Sequence, residues 1–448
     1  MPFFFEAMMP AEKHASSQRS TETDARLLFS IADSILPWLR EDVRWPADFD
    51  LRDARLARIW IGRRGRITFE LVLGLTRRGE PFRTTIQGGV GETDRIGTPR
   101  VEPRVSPVGV TGLRHANRDL NIWVCSPDRD RKLRAIRPLL SANGLRETFA
   151  ATTTLARLGL DDRTEQPVSR VVAYRVHKRC VLHVAGCESA PHGVFVKVFR
   201  RPPPNERLAL QSALADDLAA RSAGTLLTPR VLDVSEKHGL ISTEGVAGQP
   251  CRPGARRGDL EVAADVLATL HTTALRSTEF HTPRDEINTT KRWSPLVAVF
   301  DEQRGERFAR LIRRIDERLD EVDSTATVLL HRDYYGSQLL RDGETTWLTD
   351  LDTLATGHAE VDVGTMTAHV LLDMLASGHS TEAAFRETAA FTARYRAKAD
   401  LDPSRLAFYL SSALIRLGGL HLVRGCPGDV VDALWRSADA CLDGSLTL

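Results

Sequence analysis

Val328–Gly364 reads VLLHRDYYGSQLLRDGETTWLTDLDTLATGHAEVDVG, and the fold follows from it. The apolar run Val328–Leu330 predicts a short strand that delivers His331-Arg332-Asp333. Gln338 lies five residues beyond Asp333. Leu339–Leu340, the turn Asp342-Gly343 and Thr346–Leu348 predict a β-hairpin, because Asp-Gly between apolar runs is a strong turn signal. The hairpin folds Asp350 back beside the Asp333–Gln338 loop.

Phosphoryl transfer needs such a set. One carboxylate orients or deprotonates the attacking hydroxyl, while a second carboxylate and an amide oxygen hold Mg²⁺ against the phosphates. In the pattern H-R-D-x-x-x-x-N the metal-binding amide sits five residues after the catalytic Asp. Gln338 occupies that slot with the same carbonyl on a longer stem. Upstream, Lys197 sits within the apolar run GVFVKVF (Gly193–Phe199). A charge there is costly unless paired or bound to an anion. A lysine that contacts nucleotide phosphates and pairs with a carboxylate of the next helix fits the place. Glu206, Asp216 and Asp217 are candidate partners, with Gln211 an occupant of the same turn. A snorkelling edge-strand lysine is the plainer alternative. Glu244-Gly245-Val246 falls where an interlobe hinge would offer backbone groups to adenine.

These residues resemble the aminoglycoside phosphotransferase/choline kinase-like family. Its loop of the form HGDxHxxN, a strand ending in IDFD, and a GDPxxDLA-type segment are matched in order by HRDYYGSQLL, WLTDLD and GHAEVDVG. Tyr174–Cys180 (YRVHKRC) looks like the RYKPGRRC hairpin of one subgroup, with His177 where a Gly often stands. The resemblance covers about 168–448. It implies Asp333 as catalytic base, Gln338 and Asp350 as metal ligands, and Lys197, Glu244 and Val246 as nucleotide contacts. His331 and Asp362 would support the catalytic loop, and Asp352 would be structural. ATP and Mg²⁺ are the implied cofactors.

The rest of the chain divides around this core. Residues 1–22 read as a disordered tail. Residues 23–160 read as an accessory α+β domain, with alternation at Ile67, Phe69, Leu71 and Leu73, and a helix near 133–140 stopped by Asn143-Gly144. Residues 165–246 read as a β-rich N-lobe. Residues 247–448 read as a helical C-lobe with helices near 257–275, 305–322, 361–377, 380–398, 403–423 and 428–443. The fold class expected is α+β: a protein-kinase-like two-lobed fold with an additional N-terminal α+β domain.

Composition narrows the function. The 448 residues are 42% hydrophobic and 27% charged, as in a soluble globular protein. Net charge +2 is too balanced for a protein that coats nucleic acid. Only seven of the 61 basic residues are Lys, which makes Lys197 conspicuous. The six Cys show no metal spacing and read as reduced cytoplasmic thiols. No apolar run approaches a membrane span, so no membrane partner is expected. Eleven residues separate Asp350 from Asp362, too few for a long activation segment, and no A-P-E follows. The expected function is transfer of the γ-phosphoryl group to a hydroxyl of a small molecule of aminoglycoside, sugar or amino-alcohol type. The alternatives are a Ser/Thr phosphotransferase in a peptide-maturation pathway and an inactive nucleotide-binding pseudokinase.

Overall fold

The computed structural model describes residues 28 and 32–446, apart from 62–65, 94–102, 107–108, 151, 159–166, 186–191, 253–257 and 323–327. The expected tail at 1–22 and Cys187 lie outside the described residues.

The first unit is a five-stranded antiparallel sheet. Its strands run in the order Phe49–Ile61, Ile67–Arg77, Glu80–Val90, Ile122–Cys125, Arg114–Asn117. Ile67, Phe69, Leu71 and Leu73 are buried, as the alternation predicts. The region 88–118, rich in Gly, Pro and Arg, carries the Arg114–Asn117 strand and the two-stranded ribbon Arg104–Ser106/Gly109–Thr111.

The second sheet is the N-lobe, in the order Val231–Ser235, Leu240–Glu244, Val194–Phe199, Arg179–Val184, Ser169–Arg175. Its central strand explains Lys197. Val194, Val196 and Val198 point into the core, while Phe195 and Lys197 alternate to the other face. Lys197 is therefore on no edge strand.

The helical segment Ile136–Leu139, Ala142–Thr148 and Thr153–Arg157 was grouped by sequence with the accessory unit. Its side chains pack elsewhere. Leu133, Ile136, Leu139, Leu145, Phe149 and Leu158 form one core with Cys180, Leu182, Val194, Val196, Val198 and Leu240. These helices roof the N-lobe sheet, so a cut at residue 160 would strip that sheet of its apolar cover. Gly144 does not stop a helix. It lies inside Ala142–Thr148, where its amide caps onto the Ser141 hydroxyl and an added Cβ would meet the Pro138 carbonyl at 2.2 Å.

The Asn205–Arg221 helix follows the N-lobe strand that carries Lys197. Beyond Gly248 the chain is mostly helical: Asp259–His271, Glu302–Glu317, Glu360–Ala376, Thr381–Arg396, Pro403–Val423 and Gly428–Leu442 match the predicted spans within a few residues. Helices Pro283–Lys291 and Ser294–Phe300 were not foreseen. Pro403–Val423 is long and apolar enough to cross a membrane by composition, and it is mostly buried as the central helix of this lobe. The Leu339–Asp342/Thr345–Leu348 hairpin forms as predicted. It is extended by Leu226–Leu227 on one side and Gln249–Pro250 on the other, which ties the two lobes by backbone pairing. This is the two-lobed kinase-like arrangement with an added N-terminal unit.

The accessory unit grips the tip of the 174–180 hairpin. His177 adopts φ +61°, the left-handed conformation that a Gly would take there. Asp130 stabilises it, accepting hydrogen bonds from the His177 amide (2.7 Å) and the Tyr174 hydroxyl (3.0 Å), with His177 Nδ1 at 2.8 Å. Trp123 stacks on the His177 ring at 5.2 Å. Gln87 accepts from the Val176 amide at 2.8 Å and donates to the Tyr174 carbonyl. Burial alone would push the Asp130 carboxyl up, but the His177 bonds hold it below the usual carboxylate range. Asp130→Ala is expected to cost about 2–4 kcal/mol by stranding these buried donors. Faster amide hydrogen exchange confined to residues 174–180 would check it; unchanged exchange there would show that the grip is not rigid.

Candidate active site

Val328–Leu330 pairs with Ala355–Gly357 and delivers the loop from His331. Asp362, in the first turn of Glu360–Ala376, accepts from the backbone amides of His331 and Arg332, both at 2.7 Å, and faces His271 Nε2 at 3.2 Å. These bonds hold Arg332 at φ +70°. His331 Nε2 contacts the Thr349 carbonyl at 2.8 Å, which ties the loop to the residue before Asp350. Tyr334 is fully buried and donates to the Ala263 carbonyl at 2.6 Å. Gly336 passes so close to Cys251 that a Cβ would meet its carbonyl at 1.8 Å, so this turn of the loop demands Gly.

Asp350 sits just beyond the hairpin in the left-handed region (φ 57°, ψ 55°), which Asp tolerates better than most residues. Lys197 Nζ donates to Asp350 (3.1 Å) and Asp352 (2.8 Å). Arg179 donates to Asp352 at 2.7 Å and stands 3.6 Å from Asp350. The partner of Lys197 is thus none of the helix carboxylates considered from sequence. Asp217 is paired with Arg221 and Thr273, and Asp216 with Arg230. Gln211 occupies the facing turn and donates to the Leu351 carbonyl at 2.9 Å. Asp352 missed its cation in the sequence reading because both of its partners lie more than 150 residues away.

The environment separates the two acids. Burial raises the Asp333 carboxyl, the nearby Asp350 charge adds to the rise, and His331 and Arg416 oppose it. Burial also pushes Asp350 up, but Lys197 and Arg179 overcome that and hold it below the usual range. One carboxyl is suited to accept a proton and the other to stay ionised.

Gln338 is buried, and its side-chain oxygen accepts from the Thr349 hydroxyl at 3.1 Å. With Asp350 it forms an all-oxygen pair, which suits a hard divalent cation. No group of three or more His, Cys, Asp or Glu able to hold a metal occurs among the described residues. A cation here would complete its shell with phosphate and water oxygens, as Mg²⁺ commonly does.

A cavity of about 400 Å³ lies between the N-lobe sheet and the hairpin. Lys197, Arg179, Glu244, Val246, Asp350 and Asp352 are on its walls. Glu244 accepts from the Arg230 amide at 2.9 Å. Gly245 passes within van der Waals range of the His192 and Gly193 carbonyls, leaving no room for a side chain.

No protein-family model and no curated protein matches the chain. Among solved structures it is similar to a choline/ethanolamine kinase family protein from Mesorhizobium loti, with 14% identity and TM-score 0.44 over 67% of this chain and 94% of that one. It is also similar to a choline kinase from Streptococcus pneumoniae, with 13% identity and TM-score 0.42 over 62% and 93%. A third is a spectinomycin phosphotransferase solved with ADP and spectinomycin, with 12% identity and TM-score 0.42 over 60% and 92%. The likeness is one of fold: this chain has the protein-kinase-like two-lobed fold, as its own strand order and helical lobe establish.

Proposed function

We propose that this protein is an ATP- and Mg²⁺-dependent phosphotransferase that moves the γ-phosphoryl group to a hydroxyl of a small molecule. The observation that carries the reading is the ion pair that joins Lys197 to Asp350 across 153 residues of sequence, beside the loop that carries Asp333 and Gln338. ATP lies in the cavity with its base toward Glu244–Val246 and its phosphates toward Lys197 and Arg179. Asp350 and Gln338 would hold Mg²⁺, which would supply counter-charge for the phosphate oxygens. Asp333 accepts the acceptor hydroxyl's proton as its oxygen bonds to the γ-phosphorus and the bond to ADP breaks. Its raised carboxyl places the acid limb of the kcat/KM profile above the ordinary aspartate value of about 4.

An ATP-consumption screen of the full chain against small hydroxyl compounds tests this. Acceptor-dependent release of ADP is expected, and its absence across the screen with nucleotide binding retained would favour an inactive nucleotide binder. Lys197→Ala is expected to lower kcat/KM by at least about 10²-fold, since it removes the cation bonded to both carboxylates and aimed at the phosphates. Wild-type kinetics would show that Lys197 serves only the ion pair.

A further inference from the structure

The backbone amides at the tip of the 174–180 hairpin all donate within the protein. The Val176 amide goes to Gln87 at 2.8 Å, the His177 amide to Asp130 at 2.7 Å, and the Lys178 amide to the Arg175 carbonyl at 3.0 Å. In protein kinases a Gly-rich loop covers the nucleotide phosphates. Here the accessory unit holds the Val176 and His177 amides, so a donor for the outermost phosphate has to be a side chain.

Arg179 is placed to be that side chain. It is opposite Arg175 in the hairpin register. The Arg175 guanidinium lies 5.9 Å over the Trp60 ring of the accessory sheet, whereas Arg179 reaches across the cleft to Asp352 at 2.7 Å. Strand register then orders Arg179 against Lys197. Val184, Val194 and Glu244 are aligned at the hinge end of the N-lobe sheet. Lys197 is aligned with Val181, and Arg179 with Phe199. Arg179 is therefore two residues, about 7 Å, farther from the hinge than Lys197. Both side chains are on the wall of the same cavity. At this far end Arg179 stands 3.6 Å from Asp350 and within electrostatic range of Asp333. It is also free to move: its side chain is 37% exposed against 17% for Lys197. When Arg179 leaves Asp352, Lys197 is still bonded to that carboxylate at 2.8 Å.

Resting on the phosphotransferase reading, with the base at Glu244–Val246, we infer that Arg179 is a further catalytic residue, the one that binds the γ-phosphoryl group, while Lys197 serves the inner phosphates. The planar guanidinium donates to two non-bridging oxygens of that group and keeps its own protons throughout. The acceptor oxygen bonds to the γ-phosphorus, the bond to the ADP oxygen breaks, and Asp333 takes the hydroxyl proton. The accessory unit aims Arg179 by fixing the turn from which its strand starts.

Calorimetric titration of the full chain tests this, with Mg²⁺ and either ADP or the β,γ-imido analogue of ATP as the probe. Arg179→Gln should weaken the analogue about tenfold or more and ADP by less than about threefold. Lys197→Ala should weaken both probes. Arg179→Lys keeps the charge beside Asp352 and should show the same selectivity with a smaller loss, so a folding defect in the Gln variant does not hide the answer. Equal weakening of both probes in the Arg179 variants would place Arg179 on the inner phosphates. Unchanged binding of both would leave it a tie between the hairpin and Asp352. Either result overturns the inference, as does selective loss of the analogue in Lys197→Ala instead of Arg179→Gln. If the wild type binds neither probe, the phosphotransferase reading itself falls.

Discussion

Asp333→Asn is expected to cut kcat by about 10²–10⁴-fold while leaving Mg²⁺–nucleotide binding intact. The amide keeps the shape of the loop, whose backbone is fixed by Asp362, but it cannot take the hydroxyl proton. Asp350→Asn is expected to behave in the opposite way. It removes a charged oxygen from the cation and one of the two carboxylates bonded to Lys197. Saturating Mg²⁺–ATP stabilises a folded protein by about 2.7 kcal/mol at 100 times Kd. That shift should survive in Asp333→Asn, and its metal-dependent part should disappear in Asp350→Asn. Thermal unfolding with ATP, with and without Mg²⁺, separates the two. Loss of the metal-dependent part in Asp333→Asn alone would exchange the roles of the two residues.

The largest stability effect is expected at Asp362. It is fully buried, and its two oxygens take two loop amides and face His271. Removing one member of such a group leaves the others unpaired, so Asp362→Ala should cost about 3–5 kcal/mol in urea unfolding. Burial pushes this carboxyl up, but His271 and His331 hold it below its ordinary value. A lowered carboxyl contributes its stability fully above the unfolded-state value of about 4. That contribution is lost as pH falls through the lower folded value. The wild type should therefore lose stability at acid pH more steeply than Asp362→Ala. Parallel pH curves for the two would mean that Asp362 is not the loop's anchor.

The strip that carries Asp333, Gln338 and Asp350 was legible because its geometry is local. Val328 to Asp350 is a strand, a loop and a tight hairpin, and turn chemistry with spacing is enough to bring its ends together. Lys197 was legible as an anomaly, but its partners were not. The expected helix carboxylate is replaced by Gln211, and the carboxylates that serve Lys197 come from across the cleft. Helices Pro283–Lys291 and Ser294–Phe300 were hidden because each begins with a Pro in its first turn, which reads as a break along the sequence and serves as a start in the structure. The role of 133–158 was also invisible: its apolar spacing predicts a helix but not which sheet it covers. Asp130 and Gln87, which grip the hairpin tip, are 47 and 89 residues from the amides they bind.

The ion pairs across the cleft have a thermodynamic consequence. Lys197 and Arg179 are neutralised by Asp350 and Asp352, so incoming phosphates compete with the protein's own carboxylates for the same two cations. Nucleotide alone would displace those carboxylates and leave them facing phosphate oxygens of like charge. A divalent cation added with it would supply the missing counter-charge. On the proposed function, each ligand would therefore raise the affinity for the other by the same factor.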